Sequence, residues 1–439
     1  MIRSFWNRRL SRRLFLKESV ATGLLLSLPW WQAEAALPKN PLYWVQNIPK
    51  NPFTSTSRPN DHVGVNGLLE LMARHNRKFY LSDTTGPLAG PYGLIAANDV
   101  VIVKVNAQWK YRGCTNSDVI RGLIQKILDH PDGFSGEVVI FENGQGYGSL
   151  NCDVFNPEYY PDATQHANAN DESHSFQYLV DTVFRDSRVS AFLMDPFRAN
   201  IIDYGDHITN GYRLLGESSD DVSYPCFTTA GGHRVELQEG LWTGTGHTQN
   251  LKLINVPVLK DHFYTHLTCS LKNTYGILSM ADGILGRHPV DPSGYGRIWG
   301  KMMATVKTPV LNIVDAIWVS QGQGAPPFRQ WGLPGYPPEV TTRTNQLLAS
   351  QDPVALDYWA ARYILYPIDN EDMHHPVDDV MVNAWLTAAR DTINGRGISD
   401  PENCIYLRYV TNNEAYMAVH TLNMASRSVP AIVNLLLQE

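Results

Sequence analysis

The chain has 439 residues, of which 43% are hydrophobic and 18% are charged, and its formal net charge is −7. This composition supports a large buried core and argues against disorder over most of the length. The acidic balance, without a basic stripe or an aromatic platform, argues against nucleic acid as a partner. The length suits one elaborated α/β unit or two coupled ones.

Five cysteines are spread widely along the chain, at positions 114, 152, 226, 269 and 404. None of them forms a C-x-x-C pair, so the sequence has no ferredoxin-type iron–sulfur motif, zinc ribbon or thioredoxin-type site. We expect the cysteines to be small buried thiols. The sequence does not identify a cofactor. In an oxidising compartment a pair such as Cys114 and Cys152 could form a disulfide, but sequence alone cannot assign pairs.

Residues 1–35 have the pattern of a targeting segment. Basic residues precede an apolar run over 20–28, and Ala-Glu-Ala at 33–35 fits a cleavage site. Ser-Arg-Arg-Leu-Phe-Leu-Lys at 11–17 matches the twin-arginine export consensus S-R-R-x-F-L-K. We therefore predict export by the twin-arginine machinery to the periplasm or beyond, with no stable membrane span in the mature chain, because the apolar run is too short. An ordinary secretory signal or an uncleaved anchor are the alternatives.

The mature part is predicted to be an α/β domain over residues 98–439. Val100–Val105 and Glu137–Phe141 are apolar runs typical of buried strands, and a helix over Asn116–Leu128, capped by Thr115, lies between them. Strand, helix and strand in this order predict a mostly parallel central sheet with helices on both faces.

The flanking segments are less regular. Residues 36–97 are expected to form an extended leader and the start of the domain, with a short helix over 67–74. Residues from about 150 to 250 are expected to form an irregular insertion that contains one helix near 176–184. Further predicted elements are strands over 251–259, 310–317, 345–348 and 404–410, a helix over 266–278, and a helix from the cap Asp352 and Pro353 to about Leu365.

Ligands of parallel sheets bind just beyond the carboxyl ends of the strands. Polar or glycine residues follow four of the predicted strands. They are Lys104 and Asn106, then Glu142 and Asn143, then Lys260, Asp261 and His262, and finally Asp315, Gly322 and Gly324. We therefore expect the functional site at this edge, although a lone G-x-G such as 322–324 also fits a simple tight turn.

The densest polar group lies at the junction of the strand and helix near residue 260. Lys260 and Lys272 suit an anionic ligand, and His262 could act as a general acid or base. Alternatively, His262 and His266 could bind a metal if both lie on one helical face. The simpler interpretation is a strand end with a solvated lysine. His374 and His375 are expected in a polar surface loop.

Several short motifs occur in a fixed order along the chain. They are Ile102–Asn106, Asn255–His262, Ser270–Gly276, Ile313–Ala316 with Gln321–Gly324, and Ser350–Asp357. They resemble the family catalogued as domain of unknown function 362, whose patterns are K-P-N, L-P-K-x-K-x-H, L-K-N-x-x-G, an aspartate followed by G-x-G, and D-P-V-A-x-D. The resemblance covers roughly residues 98–365 in pieces.

This resemblance implies an α/β domain and little about activity. It draws attention to the residues that match the patterns, which are Lys104, Asn106, Lys260, His262, Lys272, Asn273, Asp315, Asp352 and Asp357. Val105 stands where the family has proline, which affects only backbone stiffness. Many relatives also carry a ferredoxin-like module with cysteine runs. Since this chain has none, that iron–sulfur role is not transferred.

Two functions fit these residues, and the sequence leaves open whether the protein is an enzyme. In the first, an enzyme acts on a small anionic or phosphate-bearing molecule. Lys260, Lys272 and Lys104 hold negative charge, His262 transfers a proton, and Asp315 orients it or holds a metal. The remaining candidate ligand contacts are Asn106, Asn143, Asn273, Gly322, Gly324, Asp352 and Asp357. In the second, a periplasmic binding or maturation protein holds a cofactor or metal without turnover.

Overall fold

The computed structural model describes residues 41–153, 165–216, 222–281, 291–321 and 341–394, and the backbone of 405–410, 414–419 and 433–436. The predicted targeting segment, Gly322, Gly324 and Cys404 lie outside these residues. The strands are β1 Leu42–Gln46, β2 Tyr80–Leu81, β3 Ala89–Gly90, β4 Ile95–Ala96, β5 Val100–Lys104, β6 Glu137–Glu142, β7 Val189–Leu193, β8 Gly211–Leu215, β9 Val222–Thr228, β10 Arg234–Glu236, β11 Gly240–Trp242, β12 His247–Thr248, β13 Leu251–Asn255, β14 Val258–Lys260, β15 Leu311–Ser320, β16 Thr341–Ser350, β17 Ile405–Val410, β18 Glu414–Val419 and β19 Val433–Leu436.

The α-helices are α1 Val63–Arg74, α2 Ser117–Leu128, α3 Phe176–Tyr178, α4 Ser270–Asn273, α5 Pro292–Lys301, α6 Pro353–Ala360, α7 Tyr366–Asp369 and α8 Val380–Asn394. Three of them continue as π-helical turns, over Leu179–Phe184, Met302–Val306 and Ala361–Leu365. The 3-10 turns include Tyr111–Gly113, Gly144–Gly146, Thr274–Ile277 and Asp372–His374.

The central sheet has 11 strands, and its continuous order is β19-β18-β17-β1-β16-β15-β13-β5-β6-β7, with β14 beside β15. Its middle is parallel, because β15, β13, β5, β6 and β7 all run in the same direction. Strand β16 is antiparallel to its two neighbours β15 and β1. The prediction of an α/β fold with a mostly parallel central sheet is therefore confirmed.

Helices cover both faces of this sheet. Along β5, Val101 and Val103 pack into the apolar cluster that contains α1 and α2, whereas Val100 and Ile102 pack into the cluster that contains α5, α6 and α8. Successive strand side chains point to opposite faces, so a strand with two covered faces must be apolar throughout. This explains the unbroken run Val-Val-Ile-Val at the start of β5.

The region around 150–250 contains more regular structure than the sequence indicated. Its strand β7 extends the central sheet beside β6, and its later strands form a separate antiparallel sheet in the order β12-β11-β10-β9-β8. Phe227 of this second sheet stacks on Phe141 of β6, with ring centroids 5.2 Å apart. Short strands that contain Pro225 and several glycines lack the alternation that would have revealed them.

The expected leader also takes part in the fold. Strand β1 lies inside the central sheet, between β16 and β17. Helix α1 begins at Val63, earlier than predicted, because His62 caps it through an imidazole nitrogen that accepts the N–H groups of Gly64 and Val65. Burial lowers the pKa of His62 to about 3, so the ring stays neutral and keeps that acceptor.

Most predicted helices and strands are confirmed, with shifted ends. The prediction of a helix over 266–278 is wrong, because only Ser270–Asn273 is α-helical and His266 has a left-handed backbone, with φ of 58°. The strand predicted over 251–259 is two strands, interrupted at Val256 and Pro257. The cap of α2 is Asn116 rather than Thr115.

Candidate functional site at the carboxyl ends of the central strands

The ends of β5 and β6 carry a buried ion pair. Lys104 Nζ lies 3.0 Å from Glu142 Oε1, and both side chains are almost fully buried. The ammonium also donates to the carbonyl of Val105 at 2.6 Å, and Glu142 accepts the N–H groups of Ala107 and Asn143. Burial lowers the pKa of Lys104, and the carboxylate of Glu142 opposes that shift. The two charges therefore compensate each other and join two adjacent loops.

A row of amide side chains continues from this ion pair across the sheet. Asn273 of α4 donates to Asn255 Oδ1 at 2.8 Å, and Asn255 donates to Asn312 Oδ1 at 2.9 Å. Asn312 then donates to the carbonyl of Ser350, and Lys104 Nζ lies 3.4 Å from Asn273 Oδ1. All these groups are buried. Buried amides that satisfy one another in sequence fix the ends of the strands in one arrangement.

Asp315 is fully buried beside the first turn of α2. Its carboxylate accepts the N–H of Asn116 at 2.8 Å and that of Ile317 at 3.0 Å, and Asn168 Nδ2 lies 3.5 Å away. Burial raises the pKa of Asp315 to about 7, although these contacts and Arg112 oppose the rise. Asp315 thus holds the start of α2 against β15 and titrates close to neutrality.

Asp352 and Asp357 bind backbone at the starts of helices. Asp352 caps α6 by accepting the N–H groups of Val354 and Ala355, as the sequence predicted. Asp357 accepts the N–H groups of Ser270 and Leu271, at 2.7 and 2.9 Å, and so caps α4 from another helix. Burial raises the pKa of Asp357 to about 6. In the described part of the chain, both carboxylates therefore accept hydrogen bonds from backbone N–H groups beneath the site.

Lys260 and Asp261 end β14 and are both buried. The Lys260 ammonium donates to the carbonyl of Gly113. Asp261 lies on the imidazole of His374, with Oδ1 to Nε2 at 3.0 Å, and Asp369 lies 2.8 Å from Nδ1 of the same ring.

The expectation that His374 and His375 lie in a polar surface loop is wrong, because both are buried. The His374 side chain is 1% exposed, because the turn Asp372–His374 folds onto β14. Burial alone would lower the pKa of His374, but the hydrogen bond to Asp261 and the nearby carboxylate of Asp369 outweigh it and raise the pKa to about 9. An imidazolium between two carboxylates is thus part of this edge.

His262, His266 and Lys272 are partly exposed above these buried groups. A backbone bridge between Lys260 and Thr268 brings the two segments together, and Lys272 Nζ lies 3.4 Å from Thr268 Oγ1. The helical face proposed for His262 and His266 does not exist. Instead, His266 Nδ1 lies 2.9 Å from Asp379, and His262 Nδ1 accepts backbone N–H groups.

Asn106 and Asn143 occupy the loops after β5 and β6. Asn143 donates to the carbonyl of Leu278 and accepts the N–H of Gln145. The backbone of Asn106 pairs with Thr115, but its Oδ1 is buried and finds no hydrogen-bond donor among the described residues. A buried acceptor without a donor is costly, which makes Asn106 a candidate ligand contact.

A comparison with known protein families found a match in the second half of the chain. The model of the family described as Domain of unknown function (DUF362) matches residues 243–362. This match supports the DUF362 family. It spans the chain from β12 through α6, so it includes Lys260, His262, Lys272, Asp315 and Asp357. No curated protein and no solved structure matches the chain.

Sequence reasoning overlooked several residues at the carboxyl ends of the central strands. Asn255 and Asn312 lie within predicted strands, and their polar side chains in apolar runs were the available signal. His374 and Asp369 gave no such signal, since their role depends on a fold-back onto Asp261. Among the described helices, none is both long enough and apolar enough to cross a lipid bilayer.

Proposed function

We propose that this protein is an exported enzyme that acts on a small anionic or phosphate-bearing molecule at the carboxyl ends of the central strands. The observation that carries the proposal is the end of β14. There a buried ammonium, Lys260, and a buried carboxylate, Asp261, precede the partly exposed imidazole of His262. The backbone bridge to Thr268 adds the Lys272 ammonium to the same group.

The partly exposed groups would contact the ligand, and the buried ones would hold them in place. Lys272 supplies a positive charge near water, where it can meet a phosphate or carboxylate group. Lys260 adds positive charge beneath it in a region of low dielectric constant, where charge is most effective, and His374 offsets part of the negative charge of Asp261 and Asp369. The Asn106 Oδ1 atom offers an acceptor for a ligand hydroxyl.

His262 is suited to donate a hydrogen bond to a ligand. Its Nδ1 accepts the N–H groups of Tyr264 and Thr265 at 3.2 and 3.3 Å, so the neutral ring carries its proton on Nε2. A neutral imidazole with a defined tautomer can stabilise developing negative charge without giving up its proton. In the proposed reaction His262 Nε2–H donates a hydrogen bond to the leaving group or the developing anion, and Lys272 balances the negative charge.

The test uses purified protein without residues 1–35 and a panel of phosphate monoesters and small carboxylates, with product formation as the readout. His262→Asn keeps a side-chain acceptor for the two backbone N–H groups but removes the Nε2–H group that stabilises developing charge, so kcat should fall about 100-fold with little change in KM. Lys272→Ala should raise KM. Lys50→Ala, at an exposed lysine, is the matched control. An active protein whose turnover is indifferent to His262→Asn would refute the mechanism.

The second candidate is a binding protein that holds a cofactor, metal or anion without turnover. The observation that favours it is that Lys104, Asp315 and Asp357 form ion pairs or hydrogen bonds within the protein. These contacts hold the strand and helix ends around the site in a rigid arrangement. Ligand binding that is lost in Lys272→Ala but preserved in His262→Asn, together with no turnover of any panel member, would support this candidate over the enzyme.

Export by the twin-arginine route is part of the proposal and rests on residues 11–17. Replacing both arginines, Arg12→Lys and Arg13→Lys, keeps the charge but removes the guanidinium pair that the consensus requires. We expect the precursor to accumulate in the cytoplasm. Export that persists in the double variant would indicate an ordinary secretory signal.

A further inference from the structure

A second cluster of ionisable side chains lies on the antiparallel sheet formed by β8 to β12. Glu236 of β10 is fully buried and lies 2.6 Å from His207 Nδ1 and 2.7 Å from His247 Nε2. The two histidines come from the loop before β8 and from β12. Their side chains are 24% and 22% exposed. The cluster therefore combines a buried carboxylate with two imidazoles that water can reach.

We infer that His207, Glu236 and His247 form a binding site for a divalent transition-metal ion such as Zn²⁺. One ligand atom from each residue lies within 4.8 Å of the others, and among the described residues this is the group of three that meets that condition. Two imidazole nitrogens and one carboxylate oxygen are a common ligand set for zinc, with water in the fourth position. The partial exposure of both rings leaves room for that water.

The surroundings hold the three ligands in place. His207 stacks flat on Trp242, with ring centroids 3.8 Å apart and an interplanar angle of 7°. The Arg213 guanidinium donates hydrogen bonds to both carboxylate oxygens of Glu236, at 2.6 and 3.1 Å. Hydrogen bonds that orient a ligand from behind are typical of metal centres and increase their affinity. Arg213 also neutralises the charge of Glu236, which favours moderate rather than extreme affinity.

The same geometry defines what must change when metal binds. Two ligands of one tetrahedral zinc are roughly 3.4 Å apart at bond lengths near 2.1 Å. The distances from the Glu236 carboxylate to His207 Nδ1 and His247 Nε2 are shorter than this. Each imidazole must therefore move away from the carboxylate by several tenths of an ångström. The metal replaces the protons that the histidines share with the carboxylate.

The experiment is a titration of chelator-treated protein with Zn²⁺ by calorimetry and with Co²⁺ by visible absorption. We expect one equivalent per chain and a Co²⁺ spectrum of low coordination number. His207→Ala and His247→Ala should each weaken binding at least tenfold. His233→Ala, at a half-exposed histidine near Glu137, is the control and should leave binding unchanged.

Because the Glu236 variant would leave Arg213 unpaired in the core, the two histidine variants carry the test, with circular dichroism confirming that they fold. Failure to bind a stoichiometric metal ion would overturn the inference. So would stoichiometric binding that survives both histidine substitutions. Neither outcome depends on turnover at the carboxyl edge, so this test is independent of the proposed enzyme activity.

Discussion

Lys104 Nζ and Glu142 Oε1 lie 3.0 Å apart at the ends of two adjacent parallel strands, and both side chains are almost completely buried. Among the described residues, each charge is offset by the other and by hydrogen bonds to amides and carbonyls. The pair therefore couples the loops that follow β5 and β6, on which Asn106 and Asn143 are carried.

The folded protein should be strongly destabilised when either member of the ion pair is removed. We expect Lys104→Met or Glu142→Leu to lower the free energy of unfolding by about 3–5 kcal/mol, because each leaves an uncompensated buried charge. The double variant Lys104→Met with Glu142→Leu should lose much less than the sum. Urea denaturation of the four proteins gives the coupling energy, and strictly additive losses would show that the two groups do not interact.

Gly276 is required by this ion pair. A Cβ atom at this position would lie 2.2 Å from Glu142 Oε1 and 2.4 Å from Lys104 Nζ. Gly276→Ala should therefore separate the pair and lower the melting temperature by several degrees. Gly205→Ala is the matched control, since a Cβ there meets nothing within 4 Å. Equal melting temperatures for the two variants would contradict this close contact.

The Asp261–His374–Asp369 cluster should make stability depend on pH. The pKa of His374 is raised to about 9 from its usual 6.5. Stabilisation by the protonated ring is thus complete below pH 6.5 and is lost as the pH rises through 9, with an upper limit on the order of 3 kcal/mol. Unfolding free energies measured across this range should fall in the native protein. The fall should be smaller in His374→Asn, and identical pH profiles would count against a protonated ring.

The thiols of Cys114 and Cys152 should join when the protein is oxidised. Both thiols are buried, and each affects the pKa of the other. Burial alone would raise the pKa of Cys114, but Cys152, the backbone of Asn168 and the charges of Lys260 and Arg112 bring it below its usual value.

Oxidised glutathione can accept the two electrons and two protons that the thiols lose, and it leaves as two reduced molecules. Peptide mapping should then show a disulfide between Cys114 and Cys152, with stability increased by about 2–4 kcal/mol. Cys114→Ser should abolish the linked peptide, whereas Cys226→Ser should not affect it. If both thiols remain free after prolonged oxidation, the expected pairing is wrong.

The sequence alone determined the elements that depend on neighbouring residues. The unit β5-α2-β6 was predictable because apolar runs and helical periodicity record burial directly. The start of α6 at Asp352 and Pro353 was predictable because capping involves residues adjacent in the chain. The family motifs likewise pointed to the strand ends, where the structure places Lys104 and Lys260, whereas Asp315 lies in the middle of β15.

Only the tertiary structure decided which charges meet. Asp357 caps a helix that begins 87 residues earlier, and His374 pairs with Asp261 across 113 residues. The predicted helix over 266–278 failed for the same reason: its only α-helical turn is set by that distant cap. His207, Glu236 and His247 converge because three segments fold onto one sheet. Periodicity shows that a residue is buried, but its partner and its pKa depend on distances that exist only after folding.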